Sequence, residues 1–312
     1  KLKPWDRLMI VAGEQNMAEA EVLKRQAEKR THAVSILLVE RQGQHVGVFF
    51  DQHPDIFDSY NAVLAATEYS LVTTKAARNV IKRRAKFLSL PLSTNNGQSM
   101  LTFDFLKMDV KKSKLTAEVI MKYLKSSSRI QIKTDAGTDL TLMKRGRMPG
   151  FFNGVTADGG GFSSASIEVY IPVEECGTNG TMVIDGSLGY IGAAREDTRV
   201  VFKEGRIVEI EETPTGKRLK EYMEGYHDSG IYVAGELGIG LNSYSQCAGR
   251  CYIEDESAYG TFHIGLGRNI ALGGTHEANG HFDLVAREPN LFADNRQLIQ
   301  QGRIIIPEPV FF

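Results

Sequence analysis

The segment from Tyr232 to Ala286 constrains the fold of this chain most, because ionisable residues alternate there with apolar ones. His263 lies in the run TFHIGLG, and Phe282 separates His281 from Asp283. Residues i and i+2 of a β-strand share one face, so these side chains are predicted to lie on the polar faces of strands whose other faces belong to a core. Imidazoles and carboxylates that converge on one face are suitable ligands for a divalent metal ion.

The bulk composition excludes several classes of protein. The 312 residues favour two domains, and 42% hydrophobic with 24% charged residues excludes a disordered chain. A net charge of −1 argues against nucleic acid as the main partner, since phosphate binding needs a basic excess. No apolar run approaches the length of a membrane span, and the first residues do not form a signal peptide. We therefore expect a cytoplasmic protein.

Three cysteines do not form a disulfide framework. Cys247 and Cys251 could serve as two zinc ligands, but together with Cys176 they make an odd number without framework spacing. The interpretation that we favour for Cys247 and Cys251 is two buried or half-buried thiols in a reducing cytosol.

The first part of the chain, residues 1–126, alternates predicted strands with predicted helices. The predicted strands are 6–12, 33–40 and 69–74, and the predicted helices are 17–30, 54–67, 76–87 and 115–125. This alternation indicates a small flavodoxin-like or Rossmann-like α/β domain with a parallel sheet covered on both faces. The first strand is followed by AGEQNM rather than GxGxxG or a P-loop, so nucleotide binding is not supported.

The pattern changes after the serines at 126–128. Short strands separated by Gly, Asp and Asn predict a mainly antiparallel, β-rich, metal-binding catalytic domain over residues 127–312. One helix is predicted at 217–225 and one hairpin at 202–207. The Gly-rich segment 150–162 is predicted to help shape the pocket.

Glu168 repeats the alternating arrangement, since Ser166 and Tyr170 share its face in the run SIEVYIP. A carboxylate in such a strand costs several kcal/mol unless it is paired or metal-bound. The alternative to a metal is an ion pair, for which Arg147 and Arg195 are candidates. We favour metal ligation, for Glu168 and also for the set of four formed by Glu236, His263, His281 and Asp283.

Three carboxylates and two imidazoles exceed the four donors that one tetrahedral ion needs. They suit two ions about 3.5–4 Å apart that share a bridging carboxylate, as in two-metal hydrolases. The absence of thiolates from the set favours Zn, Co, Mn or Fe(II). Glu256, in the acidic run IEDES, is interpreted either as a general base or as a solvated turn residue. His276 could approach the substrate, but the interpretation that we favour is a loop residue without a role.

At these residues the chain resembles the metallo-aminopeptidases of the aminopeptidase T and PepS type, particularly their short leucyl-aminopeptidase-like members. The resembling segments are IKTDAGTDLTLMKRGR, SIEVYIPVE with GTMVIDGS, AGELGIGLN, EDESAYGTFHIGLGRN and GHFD. The resemblance implies that the metal ligands are Glu168, Glu236, His263, His281 and Asp283, and it places the family's acidic catalytic residue at Glu256. It also implies two divalent ions, usually zinc or cobalt, removal of N-terminal residues from short peptides, and a homodimer.

One residue departs from that pattern. The longer aminopeptidases have a functional Tyr seven residues after the position of His263, where this chain has Ile270. Tyr244 and Tyr259 are candidate substitutes.

The chain also resembles a second branch of the same superfamily, that of 2,5-dihydroxypyridine 5,6-dioxygenase. Enzymes of this branch hold one Fe(II) with two His and one Asp. Its HxD motif matches His281 and Asp283, but its other His falls on Glu236, and it lacks counterparts of Glu168 and His263. The donor set therefore favours a hydrolase with a small peptide or amide substrate. The alternatives are a mononuclear Fe(II) ring-cleaving dioxygenase and a non-catalytic binding protein with a degenerate site.

Overall fold

The computed structural model describes residues 2–156 and 161–306. The strands of these residues are, in chain order, β1 (Arg7–Gly13), β2 (Ala33–Val39), β3 (Ala62–Ala66), β4 (Lys86–Ser89), β5 (Arg129–Lys133), β6 (Asp139–Met143), β7 (Gly150–Phe152), β8 (Gly161–Ser164), β9 (Glu168–Pro172), β10 (Thr178–Ile184), β11 (Thr198–Lys203), β12 (Arg206–Ile210), β13 (Ala234–Gly240), β14 (Thr261–Gly267), β15 (His281–Arg287), β16 (Asn290–Ala293), β17 (Arg296–Gln300) and β18 (Arg303–Ile304). The α-helices are α1 (Met17–Ala27), α2 (Val46–Gln52), α3 (Lys75–Lys82), α4 (Val110–Ser126), α5 (Pro214–Glu224) and α6 (Tyr252–Ser257).

The chain divides into two compact units. The first contains Lys1–Phe103 and Phe152–Ala165, and the second contains Asp104–Phe151 and Ser166–Phe312. These divisions differ from the predicted boundary at residue 126, because α4 belongs to the second unit and β8 returns to the first. Of the Gly-rich segment 150–162, residues 157–160 lie outside the part of the chain that the structure describes.

The first unit has a five-stranded parallel sheet in the order β2-β1-β3-β4-β8. Strand β1 is buried from Leu8 to Gly13, as expected for a parallel strand covered on both faces. The α/β prediction for this part of the chain is confirmed.

Two elements predicted in the first unit are wrong. The predicted helix 54–67 consists of turns followed by β3, because the continuous apolar run AVLAA is a buried strand that periodicity alone does not distinguish from a helix. The predicted strand 69–74 consists of bends and turns that lead to Thr74, whose hydroxyl accepts a hydrogen bond from the Ala77 amide and caps α3. The predicted helix 76–87 ends at Lys82, and β4 begins at Lys86.

The second unit is mainly antiparallel, as predicted, and its strands form two sheets. The eight-stranded sheet has the order β12-β11-β10-β6-β5-β16-β17-β18, and the five-stranded sheet has the order β15-β14-β13-β9-β7. Strands β11 and β12 form the predicted hairpin, and α5 corresponds to the helix predicted at 217–225. No helix in the described ranges is long and apolar enough to cross a membrane.

The C-terminal end of α4 is capped by a buried lysine. Lys144 is 1% exposed, and its Nζ donates to the carbonyl oxygen of Leu124 at 2.6 Å. Carbonyl groups in the last turn of a helix have no partner within the helix and carry partial negative charge, so an ammonium group stabilises them.

Replacement of Lys144 by Met should lower the free energy of unfolding by about 1–3 kcal/mol, because the carbonyl oxygen of Leu124 loses its charged donor and keeps only the hydroxyl and the amide of Ser127. Urea denaturation of the two proteins measures the difference. The matched control is Lys125→Met, at an exposed position of the same helix, which should change the value by less than about 0.5 kcal/mol. Equal effects of the two substitutions would contradict this role for Lys144.

Candidate metal centre

The five-stranded sheet places all five predicted ligands on one face. Residues directly opposite each other on neighbouring antiparallel strands share a face. Glu236 of β13 is opposite Gly265 of β14, which is opposite Asp283 of β15. In the adjacent row, His263 is opposite Gly238.

The same strand register places the other two predicted ligands, Glu168 and His281, on this face. Glu168 begins β9 opposite Gly240, two residues along β13 from Gly238. His281 begins β15, two residues before Asp283, and therefore shares its face. The alternation in sequence thus becomes a single polar surface within the sheet.

Three of these residues form a compact group. The ligand atoms of Glu236, His281 and Asp283 all lie within 4.8 Å of one another. His281 Nε2 is 3.1 Å from Glu236 Oε2 and 3.4 Å from Asp283 Oδ1. His281 Nδ1 lies 2.8 Å from the carbonyl oxygen of Arg268, which assigns the proton to Nδ1 when the ring is neutral. Nε2 is then free to bind a metal.

Glu168 and His263 form a second, adjacent pair. His263 Nε2 is 2.9 Å from Glu168 Oε2, and Ser166 Oγ donates to Glu168 Oε1 at 2.7 Å. In the described part of the chain no arginine pairs with Glu168, and Arg147 binds Glu175 instead. The alternative of an arginine ion pair for Glu168 is therefore wrong.

Several buried atoms of the two groups that could bind a metal ion make no hydrogen bond. His263 Nδ1 and Asp283 Oδ1 are buried without a hydrogen-bond partner, and Glu168 Oε2 has only the ion-pair contact with His263 Nε2 at 2.9 Å. The parent residues are 1–3% exposed, so solvent does not provide the missing interaction. Unsatisfied carboxylate oxygens inside a protein are expected where a cation binds.

The electrostatics of the site also favour a cation. Burial alone would lower the pKa of His263, but Glu168 and Asp283 raise it to about 9. Burial would raise the pKa of Asp283, but the positive charges of His281 and His263 hold it well below its ordinary range. In the metal-free protein, protonated imidazoles therefore balance charge that a divalent ion would otherwise balance.

Glycines make room for the ligands. A Cβ on Gly265 would lie 2.8 Å from both Glu236 Oε2 and His281 Cε1. A Cβ on Gly238 would lie 1.9 Å from His263 Nε2. The unsatisfied atoms, the nitrogen and oxygen donors and these glycines together fit a divalent metal ion.

Glu256 lies in a buried helix. The interpretation of IEDES as a solvated turn is wrong, because every residue of α6 is buried and Glu256 is 3% exposed. Burial, followed by the charges of Glu168 and Asp283, raises the pKa of Glu256 well above its ordinary value. The effect of these two charges on its pKa places the carboxyl group beside the candidate ligands.

Two tyrosines at the site were not predicted to have a role. Tyr252 donates its hydroxyl proton to Asp283 Oδ2 and stacks on Tyr190 with ring centroids 4.0 Å apart. Tyr170 shares the face of Glu168, and burial together with the charges of Glu236 and Glu168 raises its pKa well above the ordinary value. The i, i+4 spacing of Tyr252 and Glu256 was the available signal, but it depends on recognising α6 as a helix.

The two tyrosines suggested as substitutes at the Ile270 position are surface residues. Tyr244 and Tyr259 are 51% and 44% exposed, and the Tyr259 hydroxyl accepts a hydrogen bond from the Ile304 amide. His276 has a structural contact, with Nε2 2.9 Å from the carbonyl oxygen of Gly230.

The cysteines are not part of the metal-ligand group found among the described residues. Burial raises the pKa of Cys247 and of Cys251 to about 12, so both remain protonated thiols at neutral pH. Cys176 is exposed.

Comparison with known proteins places the chain in a family. The sequence model of the 2,5-dihydroxypyridine 5,6-dioxygenase (NicX) family matches residues 94–306, which is more than half of the chain. The chain is 24% identical over 214 residues to the 2,5-dihydroxypyridine 5,6-dioxygenase of Pseudomonas putida. That match covers 64% of this chain and 60% of the relative's length.

Two solved structures share the fold. The 2,5-dihydroxypyridine dioxygenase of Pseudomonas putida KT2440 aligns with a TM-score of 0.73 and 16% identity, over 98% of this chain and 94% of that one. AmpT from Thermus thermophilus aligns with a TM-score of 0.64 and 14% identity, over 98% and 95% of the two chains. The chain therefore belongs to the family of 2,5-dihydroxypyridine 5,6-dioxygenase, a family of enzymes, and its fold is also that of AmpT.

Replacement of either of two glycines by alanine should disturb one group of ligands and leave the other in place. Gly265→Ala should displace Glu236 and His281, and Gly238→Ala should displace His263, without removing a ligand. Calorimetric titration with Co(II) should show the loss of a different binding event in each variant. Gly47→Ala is the control, since its nearest neighbour would be 3.6 Å away. Unchanged Co(II) binding in both site variants would contradict metal binding by these residues.

The carboxyl of Asp255, which accepts hydrogen bonds from the amides of Ala248 and Gly249, should make stability depend on pH. Burial raises its pKa to about 7. Between pH 4 and pH 7 this carboxyl group is ionised in the unfolded state but still protonated in the folded state. The free energy of unfolding therefore falls as pH rises through this range, and above pH 7 the loss of stability is constant.

Asp255→Asn removes that titration. The stability of the variant relative to the wild type should rise by roughly 2–3 kcal/mol between pH 5 and pH 8, measured by urea denaturation. Asp135→Asn, at an exposed position, is the control and should show a nearly constant difference. The same constancy for Asp255→Asn would contradict a raised pKa.

Proposed function

We propose that this chain is a metal-dependent aminopeptidase-like hydrolase that removes the N-terminal residue from short peptides or related amides. The observation that carries the proposal is the donor set on one face of one sheet: Glu168, Glu236, His263, His281 and Asp283. Three carboxylates and two imidazoles exceed the requirement of one tetrahedral ion and suit a two-metal hydrolase. The fold that the chain shares with AmpT, an aminopeptidase T, supports this class of enzyme.

Each group of ligands has a role in holding metal. Glu236, His281 and Asp283 would hold one divalent ion, and Glu168 with His263 would contribute to a second. Zinc, cobalt or manganese suits these donors. Bound ions supply Lewis acidity, which lowers the pKa of water and polarises a carbonyl oxygen.

The remaining groups of the site handle protons and substrate charge. Glu256 is outside the set of ligands, but it is buried, and the charges of Glu168 and Asp283 act on its carboxyl group, which would accept and return a proton. The N-terminal amine of a peptide would bind one of the metal ions or a nearby carboxylate.

The second candidate function is a mononuclear Fe(II) ring-cleaving dioxygenase of the 2,5-dihydroxypyridine type. The family match and the relative in Pseudomonas putida favour it. Such iron sites use two histidines and one carboxylate. The compact group in this chain has one histidine and two carboxylates, because position 236 is Glu. We therefore rank the hydrolase first.

A paired assay separates the two functions. The protein is reconstituted with Zn(II), Co(II), Mn(II) or Fe(II), and each form is tested for hydrolysis of leucine anilide and for oxygen uptake with 2,5-dihydroxypyridine. We expect hydrolysis with zinc or cobalt and no oxygen uptake. Oxygen uptake by the Fe(II) form without hydrolysis would establish the dioxygenase instead. Bound metal without either reaction would support a binding protein.

His281→Ala should abolish metal binding and hydrolysis together, since it removes the shared neighbour of Glu236 and Asp283. Metal content by emission spectroscopy and initial rates on leucine anilide measure both effects. His276→Ala is the matched control and should retain metal and activity. Hydrolysis that survives in His281→Ala would place the active site elsewhere.

A further inference from the structure

We propose that Tyr252 is a positioning residue that restricts Asp283 to binding metal through a single oxygen, Oδ1. The inference rests on the proposed metal centre and adds a rule for how one of its ligands binds. Tyr252 acts through Asp283 and is not itself proposed to touch the substrate.

The two oxygens of Asp283 have different surroundings. Oδ2 accepts the hydroxyl proton of Tyr252. Oδ1 is buried without a hydrogen-bond partner and lies 3.4 Å from His281 Nε2, on the side of the other ligands. Since the phenol occupies Oδ2, the oxygen that remains for a metal ion is Oδ1.

Tyr252 is held firmly in this position. Its ring stacks on Tyr190 at an interplanar angle of 25°, and Tyr190 belongs to the short 3₁₀ helix Gly189–Ile191. Gly189 has φ of 58°, and a Cβ there would lie 2.9 Å from the carbonyl oxygen of Asp283 and 3.3 Å from Tyr252 Cδ2. Glycine at this position therefore allows the 3₁₀ helix to pack closely against both Tyr252 and β15.

A carboxylate can bind a metal through one oxygen or two. Binding through one oxygen keeps the coordination number low and leaves a position for water or substrate, which catalytic metal sites require. Hydrogen bonds to ligands from neighbouring side chains typically change metal affinity by about 10- to 100-fold when they are removed. Without the phenol, Oδ2 of Asp283 becomes available to the ion.

The test is a Co(II) titration of the wild type, Tyr252→Phe and Gly189→Ala, followed by visible absorption and calorimetry. Tyr252→Phe keeps the aromatic ring but removes the donor, and Gly189→Ala keeps the donor but displaces it. Both should bind Co(II) about 10- to 100-fold more weakly. Both should also show weaker visible absorption per bound ion, because a higher coordination number reduces the intensity of these bands.

The control is Tyr222→Phe, whose hydroxyl bonds to that of Tyr226 and whose ring packs on Phe282. It should bind Co(II) with the affinity and spectrum of the wild type. Near-UV circular dichroism of each metal-free variant verifies that it is folded.

The outcomes separate the inference from the proposed function. Affinity and spectra equal to those of the wild type in both folded variants would overturn the role of Tyr252 and leave the proposed hydrolase in place. A wild type that binds no Co(II) would overturn the proposed metal centre itself. If one variant fails to fold, the other decides.

Discussion

The second unit depends on the burial of three carboxylates. Among the described residues, the only cationic side chains that pair with them are histidines. Glu168, Glu236 and Asp283 are 2–3% exposed on one face of the five-stranded sheet. An ionised carboxylate at such depth costs several kcal/mol unless other groups compensate its charge. Hydrogen bonds from Ser166 and Tyr252 compensate in part, and the imidazoles and the glycine-lined space define where positive charge must be placed.

The sequence predicts the faces of these strands but not their neighbours. A period of two placed His281 and Asp283 on one polar face, and the structure has them there. Register between distant strands is a long-range property, so the sequence could not show that Glu236, rather than Glu168, lies nearest to His281. The alternation of strands and helices was likewise sufficient for the class of the first sheet, although it misassigned segments 54–67 and 69–74.

Glu256 shows why local composition is a weak guide to burial. The run IEDES has the composition of a solvated turn, yet all three of its acidic residues are buried. Glu254 is neutralised by Arg250, and Asp255 accepts hydrogen bonds from backbone amides. These partners come from the loop that precedes α6, and they make it possible for Glu256 and Tyr252 to reach the site. The fold is common to a dioxygenase and to AmpT, so the chemistry must be inferred from the ligands rather than from the fold.

The most direct test of the proposed two-metal centre is anomalous X-ray diffraction from crystals of the protein loaded with Zn(II) or Co(II). We expect two anomalous peaks on the same face of the sheet, one coordinated by Glu236, His281 and Asp283 and the other by Glu168 and His263, at about 2.0–2.2 Å from the ligand atoms. A structure at full metal occupancy without a peak at these residues would contradict the proposed centre.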